Sequence, residues 1–172
     1  MTLIKLKIPA TFEELTVKQF LLLEAGGTDL QILSVLSGED LEEIENTNVD
    51  LEPAMKRVAQ LYNQKPIDLE KQKKGKIEIE GKSIVFPSSL NFTRYGQKSM
   101  VKNLIRSNEK IELIVSEVFA IYAQPLIDGK FDSSRVPEIK EIVDNLPIVS
   151  VFPYTVFFFK KLKQLKQGFQ SN

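Results

Sequence analysis

Apolar residues recur along this chain at two spacings, and each spacing predicts one kind of element. The segment from Leu3 to Ile8 alternates with period two before Pro9, which is typical of a short strand. Most other segments show the three-to-four spacing of an α-helix. The predicted helices cover 16–25, 28–38, 40–45, 50–62, 93–106, 108–123 and 137–145, with a last one running from Pro147 or Pro153 to about 167.

Capping signals set the ends of several of these helices. Thr16 stands three residues before Gln19, which is the spacing of a capping box, and Thr28 or Asp29 precedes the next apolar run. Thr93 is the predicted cap of the helix that follows it. Gly168 is expected to stop the last helix, because glycine favours the left-handed conformation in which helices end.

Between the helices the pattern predicts one hairpin, one linker and, over 124–136, one loop. Residues 76–79 and 83–86 read as paired strands around a turn at 80–82. Residues 65–76 combine a proline, a glycine and five lysines with two aliphatic residues, which indicates a linker. We therefore divide the chain into an N-terminal strand and helical half at 1–64, the linker, and a hairpin and helical half at 77–172, expected to form one compact unit.

The predicted fold class is mainly α with a small antiparallel β-sheet, arranged as a helical bundle. The helix at 108–123 is apolar over most of its circumference, which places it in the middle of the bundle. Residues 4–24 and 84–104 share an order of strand, proline, threonine cap and apolar helix. This order fits two related strand-helix halves whose strands pair into one sheet, or a chance recurrence of common signals.

Composition narrows the chemistry more than it narrows the fold. The 172 residues include no cysteine, histidine or tryptophan, which excludes thiol nucleophiles, imidazole bases and Cys/His zinc sites. With 42% apolar and 27% charged residues, the chain has the composition of a soluble globular protein. We expect an interaction protein without enzymatic activity, cofactor or metal. The apolar stretch at 146–159 is broken by prolines and is too short to span a membrane, and no targeting segment is visible.

Charge is balanced overall and segregated locally. The 23 basic and 23 acidic residues cancel, so we expect no nucleic-acid partner. No lysine or arginine occurs from Gln19 to Met55, where nine acidic residues occur. The C-terminal stretch carries four bases and no acid: Lys160, Lys161, Lys163 and Lys166. This asymmetry suits ordered self-association or an oriented partner, although two solvated helix faces explain it more simply.

Three motifs invite a catalytic or ligand-binding interpretation. Gly81-Lys82-Ser83 resembles the end of a phosphate-binding loop, but the preceding glycine is misplaced and a strand follows it. The segment from Asp128 to Asp132 has two carboxylates near a glycine, yet Lys130 occupies a ligand position of a calcium loop. The acidic run at 39–45 is better explained as a surface helix than as a carboxylate site.

The C-terminal aromatic run gives the strongest candidate for an interaction site. Helical spacing aligns Tyr154, Phe158, Leu162 and Leu165 on one stripe, with Phe157 and Phe159 pointing to either side. Either other elements wrap this helix, or one phenylalanine is exposed as an anchor for a partner or a second copy. The candidate interaction residues are Phe157, Phe159, Phe169, Lys160, Lys161, Glu42 and Glu43.

Four segments together resemble a group of viral proteins. They are Phe12-Glu13-Glu14-Leu15-Thr16-Val17-Lys18-Gln19-Phe20, Leu90-Asn91-Phe92-Thr93-Arg94-Tyr95, the stretch 120–129 and the closing stretch 146–159. The chain resembles small proteins of tailed bacteriophages, especially phages of gut Bacteroidetes including crAss-like phages. Genes for these proteins lie among head and tail morphogenesis genes, and the products are often labelled tail assembly chaperone or virion protein.

The resemblance implies a non-enzymatic morphogenesis protein that binds other phage structural proteins and itself. It would act in the host bacterial cytoplasm as a tail assembly chaperone, or in the virion as a minor connector or cargo component. Two alternatives stay open from the sequence. One is a small phage regulator or inhibitor of a host protein, and the other is a hydrolase that uses only the carboxylates of Glu42 and Glu43.

Overall fold

The protein is represented by a computed structural model that describes residues 5–47, 50–64, 76–85 and 92–170, with side chains described through residue 168. Within these residues the chain is mainly helical, as predicted, with a small two-stranded sheet. The predicted linker lies outside the described residues except for Lys76. The helices are α1 (Val17–Ala25), α2 (Asp29–Ser37), α3 (Leu41–Glu45), α4 (Leu51–Asn63), α5 (Tyr95–Ser107), α6 (Val115–Asp128), α7 (Val136–Asn145) and α8 (Ile148–Gln170).

The two strands, β1 (Ile77–Ile79) and β2 (Lys82–Ile84), form the predicted antiparallel hairpin. The turn is one residue shorter than expected, because Lys82 already pairs with Ile79. Glu80 and Gly81 both have positive φ, at 50° and 72°, as the tight turns of two-residue hairpins require. The isoleucines of the hairpin are buried and β2 packs on α6.

Helix α6 is the central element, which confirms the prediction from its apolar circumference. It contacts α1, α5, α7, α8 and β2. Proline at position 125 leaves the carbonyl of Ile121 without its helical donor. The buried Gln97 side chain of α5 replaces this donor, with Nε2 2.8 Å from the Ile121 oxygen. This bond joins α5 to α6 and lets α6 continue beyond the proline.

The first and last helices are joined where each begins. The Val17 N–H donates to the Leu146 carbonyl at 3.0 Å, and the Ile148 N–H donates to the Leu15 carbonyl at 2.9 Å. Around this bridge the rings of Phe12, Phe20 and Phe152 pack edge to face, with centroids 5.5 to 5.9 Å apart. Residues from both ends of the chain therefore share one hydrophobic core.

The strand predicted over residues 3–8 is wrong for its described part. Residues 5–9 adopt no regular structure, and Leu3 and Ile4 lie outside the described residues. Ile8 is buried and Leu6 partly buried, while Lys5 and Lys7 are exposed, so the alternation reflects packing on the core rather than strand pairing. The described sheet contains β1 and β2 alone, and the expected joint sheet of two halves is not formed by residues 5–8.

Four predicted boundaries also need correction. The helix expected over 108–123 begins later, since residues 111–113 form a 3₁₀ turn and α6 starts at Val115. The loop expected over 124–136 also begins later, because α6 runs to Asp128 and ends at Gly129 in the left-handed conformation. Helix α5 begins after Arg94 rather than at a Thr93 cap, without a side-chain capping bond. Gly168 does not stop α8, which continues to Gln170 and contains Pro153 in its interior.

Candidate protein-interaction surface

The predicted phenylalanine run of α8 straddles the edge of the core. Tyr154, Phe158 and Leu162 are buried as predicted, whereas Leu165 is 39% exposed. Phe157 and Phe159 on the flanks are half-buried and pack against the core. The neighbouring helices thus cover the central stripe completely and each flanking ring partly.

Phe159 lines a groove between α1 and α8, which we call the α1–α8 groove. It encloses a cavity of about 260 Å³. Phe20 and Leu21 of α1 form one apolar wall, and Val156 and Phe159 of α8 form the other. The polar lining residues are Glu24, Glu112, Thr155, Lys160 and Lys163. The groove therefore has two apolar walls. Acidic residues lie at the α1 wall and the 3₁₀ turn, and basic residues lie at the α8 wall.

The lysines of α8 lie over its half-buried rings. Lys163 Nζ is 4.2 Å from the ring centroid of Phe159, and Lys161 Nζ is 6.0 Å from that of Phe157. At these distances the ammonium groups are attracted to the ring faces. Phe157 and Phe159 thus each have the ammonium group of a lysine over the ring.

The α1–α8 groove continues past the 3₁₀ turn Ile111–Leu113 into two further cavities. The first, of about 150 Å³, shares Leu21 and Glu112 with the groove. The second, of about 530 Å³, shares Leu22 and Leu113 with the first and reaches Leu41 at the start of α3. Leu113 is 51% exposed and stands where these two cavities meet. We call this whole depression the Leu113 groove.

Hydrogen bonds to helix ends hold the walls of the Leu113 groove in place. Lys110 Nζ lies 2.8 Å from the carbonyl of Ala25, the last residue of α1. Lys166 of α8 donates to the carbonyls of Asn108, at 3.3 Å, and Glu109. Cations are stabilising at the negative ends of helices, so these lysines fasten the turn between α5 and α6 to α1 and α8.

The acidic candidates Glu42 and Glu43 lie elsewhere, on α3. Both are exposed, and α3 packs mainly on α2. Their backbone carbonyls accept bonds from Asn46 and Thr47. The structure does not bring these carboxylates together with Phe157 and Phe159. The side chain of Phe169 lies outside the described residues.

A charged cluster that sequence reasoning missed surrounds Arg135. Its guanidinium pairs with Glu80 at 2.7 Å, with Asp128 at 3.2 Å and with Glu138. The Gln124 amide and Arg135 hydrogen-bond the Asp128 carboxylate and lower its pKa, and the carboxyl groups raise the pKa of Arg135. This cluster anchors the hairpin turn to the end of α6, which is a structural role.

The segment 128–132, which Lys130 makes a poor calcium loop, has both of its carboxylates bonded to other protein groups. Asp128 belongs to the Arg135 cluster, and Asp132 accepts bonds from the backbone and hydroxyl of Ser134, which lower the pKa of Asp132. The buried Gln124 organises the loop between them, since it donates to the Lys130 carbonyl and accepts from the Asp132 N–H. Among the described residues no group of three or more acidic side chains could hold a metal ion.

Burial raises the pKa of the two tyrosines in the α6–α8 interface. Desolvation raises the pKa of Tyr122, whose hydroxyl donates to the Val85 carbonyl at 3.2 Å. Desolvation and the nearby Tyr122 raise the pKa of Tyr154. Both side chains therefore stay neutral at physiological pH and serve packing.

Comparison with known proteins gives no relative: no protein family model, curated protein or solved structure matches the chain. No helix within the described ranges is long and apolar enough to cross a bilayer.

Proposed function

We propose that this chain is a phage morphogenesis protein that works by binding other structural proteins of the particle. It would act as a tail assembly chaperone or as a minor virion, connector or cargo component. The phage assignment is supported by the resemblance of the segments around 12–20, 90–95, 120–129 and 146–159. The binding mechanism is supported by one observation, the Leu113 groove.

The Leu113 groove has the anatomy of a protein-binding surface. Leu113 is half exposed beside Leu22 of α1 and Val35 of α2, and the adjoining α1–α8 groove adds the apolar residues of α8. Charged residues border these apolar side chains. Protein interfaces typically combine an apolar centre with a polar rim, and aromatic side chains are enriched among their contacts. Phe159 supplies such an aromatic contact at one end of the groove.

The occupant that best fits is an amphipathic helix of a partner protein. Its apolar stripe would cover Leu113 and Phe159. Helix-in-groove recognition of this kind uses apolar anchors three and four residues apart. A chaperone would hold such a helix until assembly, whereas a virion protein would keep it.

The test is co-purification of the tagged full chain with each structural protein of its phage. We expect one partner to be retained and L113S to weaken its binding about tenfold or more, since an exposed apolar anchor is lost. L126S is the matched control, because Leu126 is also 51% exposed but does not line the groove. We expect L126S to bind like the parent chain.

Two results would contradict the proposal. One is capture of no phage structural protein together with absence of the chain from purified virions. The other is capture of a bacterial protein with growth arrest when the chain is expressed alone, which would assign the Leu113 groove to a host-directed regulator.

A further inference from the structure

The acidic half of the charge asymmetry is exposed and unneutralised on α3. Glu42, Glu43 and Glu45 are exposed on this five-residue helix, while Ile44 faces the core. Their carboxylates make no ion pair within the described part of the chain. No lysine or arginine occurs in the sequence from 19 to 55 to offset them. The chain therefore presents a negative surface at α3.

The basic half lies where α8 leaves the core. Leu162 is the last buried residue of α8 among the side chains described through residue 168, and Leu165 beyond it is 39% exposed. The ammonium groups of Lys161 and Lys163 lie over phenylalanine rings, and Lys166 donates to backbone carbonyls. None of these three lysines forms an ion pair with a carboxylate of the described residues. The end of α8 is a positive surface beside the half-buried Phe159.

We propose that the occupant of this α8 surface is a second copy of the same chain, which docks α3 against it. Opposite potentials favour the α3-to-α8 contact, while α3-to-α3 and α8-to-α8 contacts would place like charges together. Because α3 packs on α2 and α8 packs on α1, α5 and α6, one chain offers both surfaces. The contact is heterologous, so it builds a ring or a filament of copies. This inference goes beyond partner binding, and it is tested on the purified chain alone.

The experiment is sedimentation of the full chain over a range of concentration and salt. We expect a mass above the 19.6 kDa of one chain at low salt. The mass should fall towards one chain at about 0.5 M salt, because salt screens exposed charges. K161E/K163E and E42K/E43K should each raise the dissociation constant about tenfold or more.

Mixing the two variants gives the sharpest test. Each variant alone carries surfaces of like charge, but an equimolar mixture restores opposite charges at every contact, so we expect the mixture to associate. K56E/R57E is the matched control, because Lys56 and Arg57 are exposed on α4 and their replacement changes net charge as K161E/K163E does. It should associate like the parent chain.

Three outcomes would overturn the inference: a monomer at all concentrations in low salt, variants that associate as the parent does, or a mixture that stays monomeric. Circular dichroism identifies any variant that does not fold. If the α8 variant fails in this way, E42K/E43K on the exposed face of α3 still decides the question by its own dissociation constant.

Discussion

At the scale of single residues, glutamine side chains do much of the joining between helices. Gln97 supplies a donor to the carbonyl that Pro125 leaves without one. Gln19 accepts from the Thr16 N–H at the start of α1 and donates to the Val35 carbonyl of α2. The bonds to Ile121 and Val35 join residues 24 and 16 positions apart. Loss of one such side chain leaves a backbone group unsatisfied in a poorly solvated place, which costs more than an ordinary hydrogen bond.

The first prediction concerns the pair Gln97 and Pro125. Q97L should lower the free energy of unfolding by about 1–3 kcal/mol, because the buried Ile121 carbonyl loses its donor. In a P125A background the restored backbone N–H can reach that carbonyl, so Q97L should cost about 1 kcal/mol less. Urea unfolding of the parent chain, Q97L, P125A and the double variant Q97L/P125A measures this difference.

Q60L is the control for that cycle, because Gln60 is exposed on α4. It should change stability by less than about 0.5 kcal/mol. Equal costs of Q97L with and without Pro125 would show that the side chain does not replace the missing N–H.

The second prediction uses two capping boxes of the same design. Gln19 accepts from the Thr16 N–H at 3.0 Å, and Gln31 accepts from the Thr28 N–H at 3.0 Å. Only Gln19 also donates, to the Val35 carbonyl at 3.2 Å near the C-terminus of α2. Q19E should therefore destabilise by about 1–2 kcal/mol at neutral pH, whereas Q31E should be neutral or slightly stabilising.

The pH dependence of Q19E has a definite sign. The new carboxylate faces carbonyl oxygens, which raises its pKa in the folded state above the unfolded value. The penalty is then present above the folded-state pKa and disappears as the pH falls below the unfolded one, near 4.3. Chemical unfolding at several pH values measures it. A penalty that grows on acidification would contradict this account.

Residue-scale features were predictable only where the signal is local. The Thr16 cap follows from the position of Gln19 three residues later, and the structure confirms it. Of the two candidates for the next helix, Thr28 and Asp29, the structure has Thr28 as the cap. The bond from Gln97 to Ile121 joins residues 24 positions apart, so no local pattern indicates it. The Arg135 cluster was missed for the same reason, since Glu80 lies 55 positions away.

At the scale of elements, a glycine in α5 lies against the loop that follows α6. A Cβ added at Gly96 would lie 2.6 Å from the ring of Phe131. G96A should therefore destabilise by about 1–3 kcal/mol, although alanine is the better helix former. Gly168 in α8 has nothing within 4 Å of its Cβ position, so G168A should be neutral or stabilise by up to about 1 kcal/mol.

Thermal unfolding of the two alanine variants measures the contrast. F131A tests the cause, because removing the ring should make G96A harmless in the double variant. If G96A remains equally costly without the ring, the close approach does not explain it.

Element boundaries were wrong where tertiary contacts outweigh local signals. Pro125 was expected to lie in a loop, but the amide from Gln97 compensates for its missing N–H and α6 continues to Asp128. The alternation at 5–8 indicated a strand, yet a strand needs a partner and β1 pairs with β2. Helices with a cap and a complete apolar stripe, such as α1 and α2, were placed correctly.

At the scale of the whole molecule, the α8 wall of the candidate site could be predicted from the sequence, and the rest of the site could not. Phe159 and Lys160 were singled out from the sequence, and both line the α1–α8 groove. The opposite wall, with Phe20 and Leu21, carries only an ordinary helical apolar pattern. Leu113 also gave no signal, because its exposure depends on how the 3₁₀ turn is held between α1 and α8.

The division of the chain into two sequence halves does not give two independent cores. Phe12 and Phe20 from the first half pack on Phe152 from the second, and the bridge between residues 15–17 and 146–148 joins their backbones. Separation would expose these rings and leave backbone groups at both helix starts without partners. The stability of each half therefore depends on the other.

We accordingly expect an isolated 76–172 fragment to lack fixed tertiary structure. It contains α6 and α8, so it should retain helical far-ultraviolet circular dichroism, but its near-ultraviolet tyrosine signal should be lost. Adding the 1–64 fragment should restore that signal, because Phe12 and Phe20 again cover Phe152. Cooperative unfolding of the isolated 76–172 fragment, with its tyrosine signal intact, would show instead that the second half has a sufficient core of its own.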